Sequence, residues 1–218
     1  MGAFAELSNF FSKGIVNQAR AMGYSEDNIL ILSGDAAALE RRYPQTFQNL
    51  ISCSHHRDRR TPIEYGQDLV ASWLFEDSLV QAFSSYGLAV SLSGADRNRK
   101  ILSNTKVSSN SDCLVSVNGA SVQLEIMCDY TGYWKKAKKI DLRDEKYQKL
   151  CRTHSLFLGI STSTISYILL DFGENIPANY IPSHAPYGGK PAYAVPVHAN
   201  DFYHLDIAEL AERIKQMI

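Results

Sequence analysis

The chain is short of the features that usually announce a function. Its 218 residues include four cysteines, Cys53, Cys113, Cys128 and Cys151. No two of them form a CxxC pair, which excludes zinc-ribbon and thioredoxin-type chemistry and leaves reduced, partly buried thiols as the expectation. No apolar run is long enough to span a bilayer. The opening Met1-Gly2-Ala3-Phe4-Ala5-Glu6 has neither the basic start nor the apolar stretch of a secretory signal. Glu6 stands where N-myristoylation requires Ser or Thr. A cytoplasmic protein with no membrane partner is expected. Neither charge sign is in excess, and the formal net charge is −1. That does not advertise nucleic-acid binding, nor exclude it, since a basic cleft can be balanced by acids elsewhere. No internal repeat or low-complexity tract is present. What remains is an ordinary globular composition, 45% hydrophobic and 21% charged, long enough for one domain over residues 1–218 with one sizeable core.

The most informative stretch is 111–128. Leu114, Val115 and Val117 make a short β-rich run. Val122, Leu124, Ile126 and Cys128 alternate with Gln123, Glu125 and Met127, the period of a strand. Asn118-Gly119 between them is a strong hairpin signal, because both residues tolerate positive φ. Folding the hairpin brings Asp112, at the entry of the first strand, back towards Glu125 on the second. Two converging carboxylates are what a hard divalent cation needs.

Asp112 and Glu125 in this arrangement resemble the acids of the PD-(D/E)XK nuclease superfamily, and within it the type II restriction endonucleases. Ser111 stands in place of the proline. Met127 stands where the family usually has lysine. Three explanations are open for that position: a lysine reaches in from elsewhere, the site works without one, or this copy is altered, whether naturally or by replacement. Lys135 and Lys136 are the nearest candidates for a displaced lysine. The resemblance covers roughly residues 62–172. It implies an α/β domain with a central mixed β-sheet flanked by helices, restriction-endonuclease-like. It implies Mg²⁺ held by Asp112, Glu125 and the carbonyl of Ile126, catalytic positions Asp112, Glu125, Met127 and Glu76, double-stranded DNA as substrate, and a homodimer in a bacterial or archaeal cytoplasm. A repair or junction-resolving nuclease of the same fold, or an inactive DNA-binding protein on that scaffold, are the alternatives.

The rest of the chain arranges itself around this core. Residues 1–60 read as a helical subregion. Phe4, Leu7, Phe10, Phe11, Ile15 and Ala19 form one helical stripe, and further short helices are predicted near 25–31, 36–42 and 46–53. The basic segment 53–60, with Arg57, reads as a DNA-phosphate loop or as a solvated linker. Thr61-Pro62-Ile63-Glu64 is a capping box with proline at the first helical position, and it predicts a helix to Tyr86. On that helix Leu69, Trp73, Glu76, Val80 and Phe83 share a stripe, so Glu76 faces the core, where a carboxylate wants a partner. A metal role, a salt bridge, or a place at the partly exposed edge of the stripe would account for it, with Asp77 as the fallback. A short strand at 88–92 follows, then a polar loop with Arg97 and Arg99. After Cys128, Tyr130, Tyr133, Lys135, Lys136 and Lys138 make an aromatic and basic patch. It reads as DNA contact, or as a surface strand exit with Trp134 packed inward. Residues 141–151 read as a helix capped by Asp141, and 156–160 and 165–172 as strands. Residues 173–200 hold five of the seven prolines and read as a long loop with short extended pieces. Asp206 and Glu209 cap a C-terminal helix.

Overall fold

The computed structural model describes residues 3–52, 60–93 and 111–218. The chain forms two compact units, the first over residues 1–81 and 96–107, the second over 82–95 and 108–218. Arg57, Arg97 and Arg99, and most of the two basic loops that carry them, lie outside the described residues. Among the described residues no helix is long and apolar enough to cross a membrane.

The first unit is helical: α1 (Ala3–Phe10), α2 (Ile15–Ala21), α3 (Glu26–Leu32), α4 (Ala36–Arg42), α5 (Pro44–Ser52) and most of α6 (Pro62–Ser85). The single N-terminal stripe is broken into α1 and α2, because Gly14 takes φ 78. Ser25 and Asp35 cap α3 and α4 by accepting from backbone N–H groups of the first turn. The box at α6 forms: Glu64 accepts from the Thr61 N–H at 2.7 Å, and the Thr61 hydroxyl accepts from the Glu64 N–H. The stripe read on α6 is corrected. Trp73 and Phe83 are buried, but so are Val70, Ala71, Leu74, Phe75 and Leu79, whereas Leu69, Glu76 and Val80 are half-buried. The helix is covered over most of its circumference, so a single apolar line does not mark its inner face. Its buried acid is Asp68, which pairs with Arg60 and accepts the Phe4 N–H at 2.7 Å.

The second unit is α/β. A six-stranded mixed sheet is ordered β1 (Ala89–Leu92), β2 (Cys113–Val117), β3 (Ala120–Asp129), β5 (Leu156–Ser161), β6 (Ser166–Asp171), β9 (Tyr203–His204). All neighbours are antiparallel except β3 and β5, which run parallel with Glu125 beside Phe157 and Asp129 beside Ser161. Parallel neighbours need a long crossover, and here it contains α7 (Tyr133–Ala137), β4 (Lys139–Arg143) and α8 (Asp144–Thr153). The β2–β3 turn is as the sequence indicates, with Asn118 at φ 50 and Gly119 at φ 89.

Two readings are overturned here. Asp141 does not cap a helix; it lies in the middle of β4, and α8 starts three residues later with Arg143 as N-cap. Residues 173–200 are not mainly loop. They hold β7 (Asn179–His184) and β8 (Lys190–Pro196), which join β4 in a second, three-stranded sheet ordered β4-β8-β7. The prolines fit because the β7–β8 register shifts between Ile181 and His184. Pro182 and Pro191 fall in that irregularity, where a ladder N–H is not required. The chain ends in α9 (Ile207–Gln216), capped by Asp206.

One buried cluster joins the two sheets: Trp134 from α7, Ile140 and Leu142 from β4, Leu150 from α8, Phe157 and Ile168 from β5 and β6, with Phe172, Val195 and Val197. Gly159 is placed at its tightest point. A Cβ there would lie 2.8 Å from Ile168 and from the Trp134 ring, closer than carbon atoms pack. Among the described residues, four other than glycine take a positive φ: Asn118, Lys138, His154 and Ile165. Ile165, between β5 and β6, has φ 47, a region that costs a β-branched residue about 1–3 kcal/mol.

Candidate metal and phosphodiester site

The site is built at the open end of the β2–β3 hairpin. The last registered pair is Cys113 with Leu124, and continuing that register sets Asp112 opposite Glu125, on one face of the sheet. Asp112 has left the ladder, and its carboxylate does the work of the missing strand: Oδ2 accepts the Ile126 N–H at 2.8 Å. Its main-chain carbonyl accepts the Ser93 N–H at 2.8 Å, and the Ser93 hydroxyl donates to the Ser111 carbonyl at 2.7 Å. Asp112 is thus held from both sides of the hairpin mouth, its carboxylate by β3 and its backbone by the residue after β1. The Ile126 carbonyl projects to the same edge of β3 as its N–H, as strand geometry dictates.

Glu125 is buried, with 5% of its side chain exposed. A carboxylate in that position needs cations, and α8 supplies them. The Lys146 ammonium donates to Oε1, and the Lys149 ammonium lies 3.8 Å from Oε2. Lys146 and Lys149 stand three residues apart and so share a helix face. Burial lowers the pKa of Lys149, opposed by the charge of Glu125; Asp112 acts on it in the same sense as Glu125. Glu125, Lys146 and Lys149 form one charged cluster, and Asp112 stands opposite Glu125 where the β2–β3 register is continued. Lys146 is the accessible member, 38% exposed against 11% for Lys149.

The ammonium groups that face Glu125 thus come from α8. The Lys135 ammonium sits 5.0 Å over the Phe202 ring, and Lys136 is exposed on α7. Met127 brings no polar atom to Glu125; its side chain packs against the cluster around Trp134 and Phe157. Only the pairing of β3 with β5, and the start of α8 at Asp144, show that Lys146 and Lys149 meet Glu125. The i, i+3 spacing was the one signal in the sequence.

The aromatic and basic stretch after β3 is organised by a residue the sequence reading passed over. Asp129 is buried and accepts the N–H groups of Thr131, Tyr133 and Trp134 at 3.0–3.1 Å. That pins the N-terminus of α7, turns Trp134 into the core and leaves Tyr133 exposed. The Tyr133 hydroxyl donates to Asp141 Oδ2 at 2.9 Å. Tyr130 is half-buried just beyond β3, and Lys138 closes α7 with φ 55. Glu76 belongs to the first unit, half-buried in mid-helix, and the fallback Asp77 accepts the Tyr24 hydroxyl.

The fit to a metal follows from the donors. Among the described residues no three His, Cys, Asp or Glu side chains gather as a ligand cluster. Asp112, Glu125 and the Ile126 carbonyl are all hard oxygen donors. Mg²⁺ is bound in this way, by one or two carboxylates, with water and substrate phosphate completing its shell. The residues present fit that ion and give no soft or nitrogen ligand that would favour zinc.

No family model matches the chain, and no curated protein matches it. Nine solved chains do. Among them is a Holliday junction resolvase from the archaeal hyperthermophile Archaeoglobus fulgidus, at 11% identity and a TM-score of 0.36, over 63% of this chain and 93% of that one.

Proposed function

We propose that the chain is a divalent-metal-dependent DNA endonuclease whose centre is Asp112, Glu125, Lys146 and Lys149. The observation that supports this most is the buried Glu125 held by two ammonium groups beside the fixed carboxylate of Asp112. Asp112 and Glu125, with the Ile126 carbonyl, would hold Mg²⁺. A bound divalent cation supplies polarisation of the scissile phosphate and lowers the pKa of water.

The chain's own groups do the rest. Lys149, buried, faces Glu125 and holds it oriented. Lys146 is long and exposed, and it meets an incoming phosphate oxygen as a point charge. The exposed lysines on and after α7, with Tyr133, lie downstream on the same strand exit and serve backbone contacts. The products would be a 5′-phosphate and a 3′-hydroxyl, as the sequence resemblance implies. That resemblance also carries the expectation of a homodimer acting on a two-fold site.

Both substrate classes, a specific duplex sequence cut by a restriction enzyme and a branched junction, suit this centre. Cleavage of a supercoiled plasmid and of a four-way junction, each with Mg²⁺ or Mn²⁺ and with chelator, separates them. The nuclease reading requires metal-dependent cleavage of at least one, lost by about 100-fold or more in Glu125→Gln and Asp112→Asn. Equal cleavage by those variants, or none by the wild type with either metal, refutes it. The non-catalytic alternative instead requires DNA binding that Asp112→Ala leaves intact and divalent ions do not change.

A further inference from the structure

The turn between β5 and β6 carries an anomaly that the cleavage centre does not use. Ile165 is β-branched, adopts φ 47 and is 47% exposed. Burial does not repay its backbone conformation, and the surrounding bonds enforce it. The Ile165 carbonyl accepts the Leu205 N–H at 2.9 Å. Thr164 Oγ1 donates to Ser161 Oγ at 3.1 Å and lies 2.7 Å from Ser166 Oγ. The Thr162 N–H reaches the Asp129 carbonyl at 3.1 Å. The tip is a stiff mount for one apolar side chain.

Its rim is polar and cationic. Ser163 and Thr164 are exposed beside it. Ser163 Oγ lies within 3.3 Å of where a Gly132 Cβ would stand, so the tip adjoins the N-cap of α7, whose last turn carries Lys135 and Lys136. On the other flank β9 pairs with β6, bringing His204 and Tyr203, with the Arg213 guanidinium 3.8 Å over the Tyr203 ring. The acids nearby are engaged: Glu209 pairs with Arg213, Asp206 caps α9, and Asp201 accepts the His198 N–H. Hydroxyls and cations around one projecting aliphatic group match a nucleic-acid backbone around a base step. Apolar wedges of this kind unstack and kink duplexes.

We propose that Ile165 inserts between base pairs of duplex DNA, with Ser163, Thr164 and the α7 lysines on the flanking phosphates. The inference rests on the nuclease reading and adds that the substrate is bound distorted. The register sets Asp129 beside Ser161, four residues along β3 from Glu125. At the strand rise the base of the turn lies about 13 Å from Glu125, or about four base pairs of one duplex.

The test uses the full chain with Ca²⁺ and a duplex carrying 2-aminopurine at successive positions. Wild type should raise the fluorescence at one step. Ile165→Gly and Ile165→Asn, both compatible with positive φ, should melt no lower than wild type, bind about tenfold more weakly and lose the rise. Glu125→Gln should keep the rise while losing Mg²⁺-dependent cleavage. A wild type that cleaves without any rise, or Ile165 variants that keep it, overturns the wedge and leaves the nuclease standing. A rise without cleavage does the reverse.

Discussion

Two buried carboxylates in the second unit have opposite surroundings. Asp141, on β4, is wrapped on all sides. It accepts the Tyr133 hydroxyl at 2.9 Å and pairs with Lys139 at 3.0 Å and His184 Nε2 at 3.1 Å, while its main-chain carbonyl accepts the Tyr187 hydroxyl at 2.5 Å. Those partners come from α7, both ends of the second sheet and the turn after β7. Glu125 is held by two ammonium groups from one helix, the outer one open to solvent. Under the proposed function, the difference separates a fastening acid from a working one. A carboxylate tied to several elements is a fastening, and removing it unfolds something. A carboxylate tied to lysines alone can exchange an ammonium for a metal ion or lend it to a phosphate. Lysine, a mobile point charge, suits that exchange better than the fixed hydroxyl and imidazole around Asp141.

The sharpest way to break this comparison is to neutralise each acid. Glu125→Gln should cut cleavage by at least about 100-fold with a modest change in melting. Asp141→Ala should instead cost about 3–5 kcal/mol, seen as a drop in melting temperature of order 10 °C, because it leaves the buried His184 and the Tyr133 hydroxyl without their acceptor. If Asp141→Ala abolishes cleavage without loss of stability, the assignment of roles is reversed. Next in size is Gly159→Ala, which forces apart the Trp134 and Ile168 contacts that support both regions. About 1–3 kcal/mol in chemical denaturation is expected, and an unchanged midpoint would contradict the packing described.

The smallest effect concerns pH. Burial raises the pKa of Tyr187, with the charge of Asp141 adding to it. The unfolded chain therefore loses the phenolic proton first, and stability present below pH 10 declines as the pH climbs from the ordinary tyrosine value of 10.0 through the folded one. Tyr187→Phe should flatten that alkaline decline in melts taken between pH 9 and about 11. A decline as steep as wild type would show that Tyr187 does not contribute.

Local chemistry was legible in the sequence where it has one structural meaning. Asn118-Gly119 fixes a tight hairpin, Thr61 with Glu64 starts α6, and Asp206 starts α9. Legibility failed where one pattern serves two structures. Asp141 and Asp144 mimic a capping pair, while Ile140 and Leu142 around Asp141 also alternate as a strand; pairing with β8 selects the strand. Prolines at 182 and 191 argued for loop, but the shifted register accommodates them. The lysines of the candidate site were invisible for another reason. They stand about twenty residues beyond Glu125, and only the parallel pairing of β3 and β5 brings α8 back over it. The two acids could be read as a pair because their separation is closed by a local turn, whereas the cations depend on a crossover.

The most direct measurement exchanges the position of the lysine. Single-turnover plasmid cleavage with Mg²⁺ is compared for wild type, Lys146→Met, and Lys146→Met combined with Met127→Lys. The account requires cleavage in the wild type, a fall of about 100-fold in the single variant with the fold retained, and partial recovery in the double variant, whose new ammonium rises from the same face of β3. Full cleavage by Lys146→Met would contradict it, because Glu125 would then be working without the cation that α8 delivers.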